Sequence, residues 1–401
     1  MAKRVILTNG QVVLPDRILA AGEVMVEDGV IQYTGQSSSS RALAGETVID
    51  AEGGFILPGF IDMHCDAIEK EMEPRPGAYF DMGIALPELE KKLAGQGITS
   101  MYHSFSFAGA EYGIREDCTA ANCVRQIIAM KRNGALIRNK IHLRFEITNY
   151  PAVELIRSLI ADGVVDVLSF MDHTPGQGQY PTVNDYKNYL EKTYHMPFEK
   201  VQEILSIKEQ GRMQAGRSVE TLCRAALLAG VTMASHDDDD ENKVREYAKM
   251  GVRIHEFPIR VDVAKAARAE GNSVCVGAPN IVRGKSTGKG MLAMDAITAG
   301  AVDIICSDYH PSSVLHSIFK LSREAMSLPE AVAMASLNPA RALALHDVGS
   351  LETGKKADIL VVNMRGGSPV VTTTVVDGIP VYSIQYRRRD FEDASFQEKA
   401  G

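Results

Sequence analysis

The sequence lacks several features that would each define a class of protein. No apolar run approaches the ~18 residues that a membrane-spanning helix needs. The 16 Pro and 34 Gly are spread along the chain and form no low-complexity tract. The N-terminus has no apolar segment followed by a small-residue cleavage site. These absences exclude a membrane-spanning protein and a disordered scaffold, and they predict that the chain carries no secretion signal.

Positive charge and paired cysteines are also scarce. The 43 Lys and Arg against 51 Asp and Glu give a formal net charge of -8, a field that does not attract nucleic acid. The six cysteines contain no Cys-x-x-Cys pair, which favours reduced thiols in a cytoplasmic protein over a disulfide framework. The 401 residues, with 45% hydrophobic and 23% charged side chains, are typical of a globular protein of two or three domains. A homo-oligomer is compatible with this composition.

Both ends of the chain are rich in short strands with turn signals. Val5-Ile6-Leu7 precedes Asn9-Gly10, and near the other end Thr372–Val376 precedes Asp377-Gly378. Neither end is long enough to close a core alone. We therefore predict one small β-sandwich domain built from residues 1–57 and 345–401.

Between these ends, residues 58–344 alternate strand patterns with helix patterns. Eight strands separated by helices predict an α/β fold, a (β/α)8 TIM-like barrel, with an open parallel sheet as the alternative. Residues 174–218 interrupt the rhythm and are too long for a connector, so we interpret them as an inserted lid or binding loop. The predicted strands are Gly59–Asp66, Ile98–Phe107, Ile141–Asn149, Val164–His173, Val231–His236, Val252–Pro258, Ser273–Pro279 and Ala301–Asp308.

The carboxyl ends of these strands carry metal-binding side chains. In a barrel these ends converge on one face, and His64 and Asp66, two residues apart on a strand, share a side. A single strand histidine is more often a hydrogen-bonded core residue, and a single acid at a strand end is more often a helix N-cap. The whole set, however, predicts a site for one or two divalent metals. Its members are His64, Asp66, Glu146, His173, His236 and Asp308.

Several motifs resemble the amidohydrolase superfamily. Residues 54–64 resemble that superfamily's entry into strand one, and residues 349–359 resemble its return to the terminal sheet. The chain is similar in motif order and spacing to the phosphonate-metabolism branch, the alpha-D-ribose 1-methylphosphonate 5-triphosphate diphosphatases. The motifs concerned are residues 64–70, 171–177, 235–238, 256–258, 277–284 and 307–309.

This resemblance implies a role for each site residue. His64 and Asp66 would bind one metal, His173 and His236 the other, and Glu146 would bridge the two. Asp308 would complete the first metal's ligands and act as the catalytic base, and Zn or Mn is the expected pair of ions. The expected substrate is a phosphorylated small molecule, a ribose 5-triphosphate phosphonate. The residues expected to bind it are Lys70, Gln177, Asp238, Glu256, Arg283, Lys285, Tyr309, His310 and Ser312.

Three departures from the family pattern fall where we expect the substrate: residues 285–289, His310 and His255. They keep a second reaction open, hydrolysis of a cyclic amide, an N-acyl amino acid or an imine-like C–N bond on the same metals. A third hypothesis is a non-catalytic barrel, whose signature would be a missing ligand. Since all six ligand positions are filled, the sequence favours an enzyme.

Overall fold

The computed structural model describes residues 4–37, 46–75, 77–109, 115–174, 182–194, 197–286 and 290–386. Within these residues the chain forms two eight-stranded sheets. The strands, in chain order, are β1 (Arg4–Val13), β2 (Ile18–Glu27), β3 (Val30–Gln36), β4 (Thr47–Asp50), β5 (Phe55–Pro58), β6 (Phe60–Cys65), β7 (Ile98–Phe107), β8 (Arg138–Glu146), β9 (Val167–Met171), β10 (Thr232–His236), β11 (Ile254–Glu256), β12 (Ser273–Gly277), β13 (Ile304–Cys306), β14 (Ile359–Arg365), β15 (Ser368–Val376) and β16 (Ile379–Ser383). The helices are α1 (Ala67–Met72), α2 (Met82–Ala94), α3 (Asp117–Lys131), α4 (Val153–Ala161), α5 (Val183–Tyr194), α6 (Phe198–Ala229), α7 (Glu241–Lys249), α8 (Val261–Ala269), α9 (Ala278–Arg283), α10 (Ala293–Thr298), α11 (Ser313–Glu324), α12 (Leu328–Ala333) and α13 (Leu337–Ala342).

Strands β6 to β13 form a parallel barrel. They lie side by side in chain order, and the last strand meets the first through backbone hydrogen bonds just beyond their ends. The Asp66 N–H donates to the Asp308 carbonyl at 2.8 Å, and the Asp308 N–H donates to the His64 carbonyl at 3.0 Å. The predicted α/β barrel is therefore confirmed. Each of the eight predicted segments overlaps a strand, although β8 begins at Arg138, ahead of the predicted start at Ile141.

The alternation of side chains along β8 shows how the barrel directs residues into its lumen. Leu143 and Phe145 pack outwards into the core shared with the helices. Their alternate neighbours His142, Arg144 and Glu146 therefore face the lumen. Beneath these polar residues the lumen is closed by apolar side chains that include Ile61, Met63, Tyr102, Val167 and Ile254.

The second sheet combines strands from both ends of the chain, as predicted. Its order is β16-β15-β14-β5-β1-β2-β3, with β4 paired to β1, and most of its neighbours are antiparallel. It has its own apolar core, to which Val5, Ile31 and Val375 contribute. The strand β5 at the middle of this sheet leads directly into β6 of the barrel, so the chain passes from one unit to the other without a linker.

The predicted insertion contains two helices, α5 and α6. Helix α6 has 32 residues, or about 48 Å at 1.5 Å per residue, and it continues beyond residue 218, where the predicted insertion ends. It ends at Gly230, whose φ of 68° is the left-handed conformation of a glycine C-cap. Despite this length, none of the helices in the described residues is both long and apolar enough to cross a bilayer.

Candidate metal centre

Four of the six predicted metal ligands, namely His64, Glu146, His173 and His236, lie close together at the carboxyl end of the barrel. The ring centroids of His64 and His236 are 5.3 Å apart, and those of His236 and His173 are 5.9 Å apart. Glu146 lies next to His173, with 3.4 Å between its Oε2 and the ring Nδ1. The barrel thus brings together residues that are up to 172 positions apart along the chain (from 64 to 236), because parallel strands all end on one face.

One group of close donor atoms consists of His64, His236 and Glu256, all buried, with donor atoms within 4.8 Å of one another. The Nδ1 of His64 lies 2.9 Å from Oε1 of Glu256. The hydroxyl of Ser169 donates to the other oxygen of this carboxylate at 2.7 Å. Glu256, which we predicted as a substrate residue, therefore lies among the donor atoms of the centre.

A second group consists of His173, His236 and Asp237, again with donor atoms within 4.8 Å. The Nδ1 of His236 lies 3.0 Å from Oδ2 of Asp237, yet both atoms are buried without a hydrogen-bond partner. Buried polar atoms of native proteins rarely stay unsatisfied, and imidazole nitrogen with carboxylate oxygen is a donor set that Zn or Mn accepts. The residues present therefore fit the divalent metal that the sequence predicts.

Asp66 and Asp308 meet where the barrel closes. Besides the backbone bond between them, Oδ1 of Asp66 is buried without a hydrogen-bond partner, and its Oδ2 lies 3.4 Å from the guanidinium of Arg115. Arg115 is held in turn by Glu69, whose Oε2 accepts from Nη2 at 2.7 Å. Burial, reinforced by the negative charge of Asp66, raises the pKa of Asp308 to about 8, so its carboxyl group can retain a proton near neutral pH.

Glu146 is paired with a lysine from the insertion. Lys208 of α6 is 4% exposed, and its Nζ lies 3.1 Å from Oε2 of Glu146. Burial alone would raise the pKa of Glu146, but the charges of Lys208 and His173 outweigh it and lower the pKa to about 2. Sequence reasoning missed Lys208, because it is one of many charged residues in a long helix and nothing in its local pattern marks it.

The pKa values of two histidines of the centre shift in opposite directions. Burial lowers the pKa of His64 well below its usual value, and the charge of Arg144 lowers it further, so His64 is neutral, as a metal ligand must be. At His173 burial also opposes the charged form, but the carboxylates of Asp237 and Glu146 prevail and raise the pKa to about 9. In the metal-free protein, therefore, the ring of His173 is protonated near neutral pH, and its positive charge is stabilised by these two carboxylates.

Most of the predicted substrate residues lie on the exposed rim above this centre. Arg283 donates from Nη1 to the hydroxyl of Tyr309 at 3.0 Å. The hydroxyl of Ser312 lies 3.2 Å from Nδ1 of His310, and Lys285 is exposed beyond the end of α9. These residues are contributed by the segments that follow β12 and β13, as expected for the loops of a barrel's active face.

Lys70 and Gln177 are two further residues of the predicted substrate set. Lys70 is exposed in the last turn of α1, and Gln177 lies outside the described residues. Their assignment to the substrate stays a prediction.

His255 does not lie where the sequence comparison placed it. We expected this departure from the family pattern to face the substrate, but the ring is fully buried and β11 directs its neighbour Glu256 into the lumen instead. Nδ1 of His255 lies 2.7 Å from Oδ2 of Asp238, and Nε2 lies 3.0 Å from the amide of Asn272. The period-two alternation of a strand explains the error, because adjacent residues face opposite sides.

Asp238, another predicted substrate residue, is completely buried and is held by this same histidine. It also accepts a hydrogen bond from Ser235. In the structure Asp238 anchors the turn after β10, and that turn presents Asp237 to the metal centre through a backbone φ of 54°. Asp240, further along the same segment, is the N-cap of α7.

The sequence profile of the Amidohydrolase family matches residues 219–381 of the chain. The alpha-D-ribose 1-methylphosphonate 5-triphosphate diphosphatase of Escherichia coli K12 is 30% identical over 368 residues, which cover 90% of this chain and 95% of that protein. The imidazolonepropionase of Porphyromonas gingivalis strain W83 is 24% identical, covering 90% of this chain and 89% of that protein.

Solved structures repeat the fold at lower identity. N-isopropylammelide isopropylaminohydrolase from Burkholderia multivorans matches with a TM-score of 0.63 and 15% identity, over 95% of this chain and 98% of that one. At such identity the match concerns the fold alone, and it extends over both the barrel and the terminal sheet.

Proposed function

The chain belongs to the amidohydrolase family and is a hydrolase, and from this premise we propose that it is a diphosphatase acting on a ribose 5-triphosphate phosphonate. Water would add to phosphorus, a phosphoanhydride P–O bond would break, and diphosphate would leave with the bond's electrons. The similarity to the Escherichia coli enzyme over 90% of the chain supports this substrate. We place the protein in the cytoplasm, with a small molecule as its partner.

The observation that carries the proposal is the pair of overlapping donor groups around His236, at the face where barrel enzymes bind substrate. We assign two divalent ions to it, Zn or Mn. Their ligands would be His64, Asp66, Glu146, His173, His236 and Asp308, with Glu256 and Asp237 close enough to contribute. Bound there, a divalent metal supplies a water of lowered pKa and a Lewis acid for the scissile bond.

Asp308 is the residue that we assign to proton transfer. It lies at the junction of β13 and β6, its backbone φ of 59° turns the chain at the strand end, and its backbone carbonyl accepts a hydrogen bond from the predicted ligand Asp66. A carboxylate at this position can act as a general base. It would orient the attacking water, accept its proton and pass that proton to the leaving group.

The basic and hydroxyl side chains of the rim would bind the polyphosphate. Arg283 can bind phosphate through two parallel hydrogen bonds, and Tyr309 already holds its guanidinium at 3.0 Å. Lys285, His310, Ser312, Lys70 and Gln177 complete the set that we assign to the substrate.

A second candidate reaction is the hydrolysis of a cyclic amide or a related C–N bond. What favours it is the group of imidazolonepropionases among the relatives, together with the exposed position of the rim's basic residues. The same metal ligands and Asp308 would then serve attack on carbon.

A turnover screen of the Mn- or Zn-loaded protein separates the two reactions. We expect ribose and nucleoside triphosphates to be hydrolysed with release of diphosphate, while imidazolone, N-acyl amino acids and other cyclic amides stay intact. Turnover confined to the C–N substrates would reject the diphosphatase assignment.

The ligand assignment has its own test in Glu146→Gln, which removes the anionic bridge. Elemental analysis should find bound metal falling from two equivalents toward one, whereas retention of two equivalents would mean that another residue bridges the ions.

A further inference from the structure

Arg144 is a buried arginine without a partner. Its side chain projects from β8, the residue is 8% exposed, and its Nε has no hydrogen-bond partner. Within the described part of the chain, its guanidinium makes no hydrogen bond or ion pair with any other residue. A buried polar group that loses water without gaining a hydrogen bond is unfavourable, so packing alone does not explain an arginine at this position.

The sheet aims this residue into the metal centre. Arg144 lies between His142 and Glu146 on the lumen side of β8, and its pairing partner on β9 is Ser169. The side chains of paired residues project to the same side of a sheet, and the hydroxyl of Ser169 reaches Glu256. In agreement with this position, the charge of Arg144 lowers the pKa values of both His64 and Asp308.

We propose that Arg144 binds an oxyanion of the substrate inside the metal centre, and that this oxyanion belongs to a phosphoryl group. The inference rests on the proposed function and deepens it, because it identifies the residue that meets the group under attack. The planar guanidinium offers parallel N–H donors that match two oxygens of one phosphoryl group. Charge that develops on these oxygens during attack would be stabilised by a cation already in place.

The other arginines near the site are less suited to this position. Arg115 is already held by the carboxylates of Glu69 and Asp66. Arg283 is exposed and bonded to Tyr309 at the rim, where it can reach only the outer part of a substrate. Arg144 is buried inside the lumen, and its N–H donors have no acceptor among the described residues. A substrate anion would supply that acceptor.

Inorganic phosphate, titrated calorimetrically into the metal-loaded protein, tests the inference directly. Because a hydrogen bond to a charged group contributes about 1.5–3 kcal/mol, we expect Arg144→Met to weaken phosphate binding by about 10- to 100-fold. The phosphate affinity of Arg144→Lys should lie between those of the wild type and Arg144→Met, since lysine keeps the charge and loses the paired donors. Arg157→Met, which removes an exposed arginine of α4 that pairs with Glu154, is the matched control and should bind phosphate as the wild type does.

Thermal unfolding without phosphate separates a binding role from a structural one. Arg144→Met removes a buried guanidinium that has no hydrogen-bond partner among the described residues and leaves no acceptor unpaired, so its Tm should stay close to that of the wild type or exceed it. Wild-type phosphate affinity in Arg144→Met, or in Arg144→Lys should the first variant fail to fold, would overturn the inference. Binding of acetate in preference to phosphate would overturn the phosphoryl assignment. A wild type that hydrolyses no triphosphate but binds phosphate through Arg144 would reject the diphosphatase and leave the oxyanion site standing.

Discussion

Asp308 must meet two requirements, one on its backbone conformation and one on the chemistry of its side chain. Its φ of 59° lies in the left-handed region, which Asn and Asp enter more easily than other residues with a side chain. Its carboxyl group lies at the closure of the barrel, where burial and, to a smaller extent, the charge of Asp66 raise its pKa. Conformation and chemistry therefore restrict this position to very few residue types.

Replacing Asp308 with Asn should separate its chemistry from its structure. Asn keeps the left-handed backbone but cannot accept the proton, so we expect kcat to fall by about 100- to 10,000-fold, the usual contribution of a general base. The Tm should change little. Asp28→Asn, at another position of positive φ (48°) in the hairpin between β2 and β3, is the control for the substitution itself, and full activity of Asp308→Asn would refute the assigned role.

The raised pKa values of His173 and Asp308 should be visible in the pH dependence of the free energy of unfolding. The folded protein raises the pKa of His173 from 6.5 to about 9 and that of Asp308 from 3.8 to about 8. In both cases the folded state holds the proton more tightly than the unfolded state, so the stabilisation is present at low pH and is lost as pH rises through the folded pKa. Urea titrations of the chelator-treated protein should therefore show the free energy of unfolding falling between pH 6.5 and 9. In Asp308→Asn this slope should be shallower, and a wild-type protein that gains stability over this range would contradict both shifts.

At the scale of elements, helix α6 decides whether the insertion takes part in the site. Lys208 reaches Glu146 because α6 packs closely on the turn after β8, with Gly211 at the contact. A Cβ at Gly211 would fall on the carbonyl oxygen of Thr148, well inside van der Waals contact. The absence of a side chain at residue 211 is what lets the helix approach.

Gly211→Ala and Gly216→Ala form a matched pair on this helix. At Gly216 an added Cβ meets open space, so Ala should stabilise the protein by about 0.5–1 kcal/mol through helix propensity. At Gly211 the steric conflict should cost about 1–3 kcal/mol and move Lys208 away from Glu146. Chemical denaturation measures both effects. Equal stabilisation by the two substitutions would mean that α6 does not pack on this turn.

At the scale of the whole molecule, Arg138 joins the barrel to the terminal sheet. Its Nη2 donates to Oδ1 of Asp358 at 3.0 Å, and the same guanidinium pairs with Asp377. Asp358 is 3% exposed and directly precedes β14, while Arg138 is the first residue of β8. The pair therefore ties the start of a metal-bearing strand to the sheet that the chain's two ends build.

Removing the ion pair between Arg138 and Asp358 should destabilise the barrel and the terminal sheet together. Arg138→Met leaves the buried Asp358 carboxylate without its cation, and such a loss costs about 3 kcal/mol. Arg224→Met, which breaks an exposed pair with Glu220 on α6, should cost less than about 1 kcal/mol. Denaturant unfolding provides the comparison, and similar losses in the two variants would show that the barrel and the sheet are joined by other contacts.

The alternation of apolar strands and helices was sufficient to predict the barrel, because each strand of a parallel sheet is buried on both faces and reads as an apolar run. The strand-end motifs likewise located His64, Glu146, His173 and His236 at one face, since the fold sends every strand end there. Both results follow from local patterns that every strand repeats.

What only the tertiary structure decided is which side chains from distant segments meet. Lys208 approaches Glu146 across 62 positions of sequence (from 146 to 208), and His255 turns away from the lumen to hold Asp238. The buried Nε of Arg144 has no hydrogen-bond partner in the part of the chain that the structure describes. A sequence pattern records the period of an element and the chemistry of each residue. Packing between elements sets the distances and the burial, and these determine which charges are paired, which pKa values shift and which donor is left for a ligand.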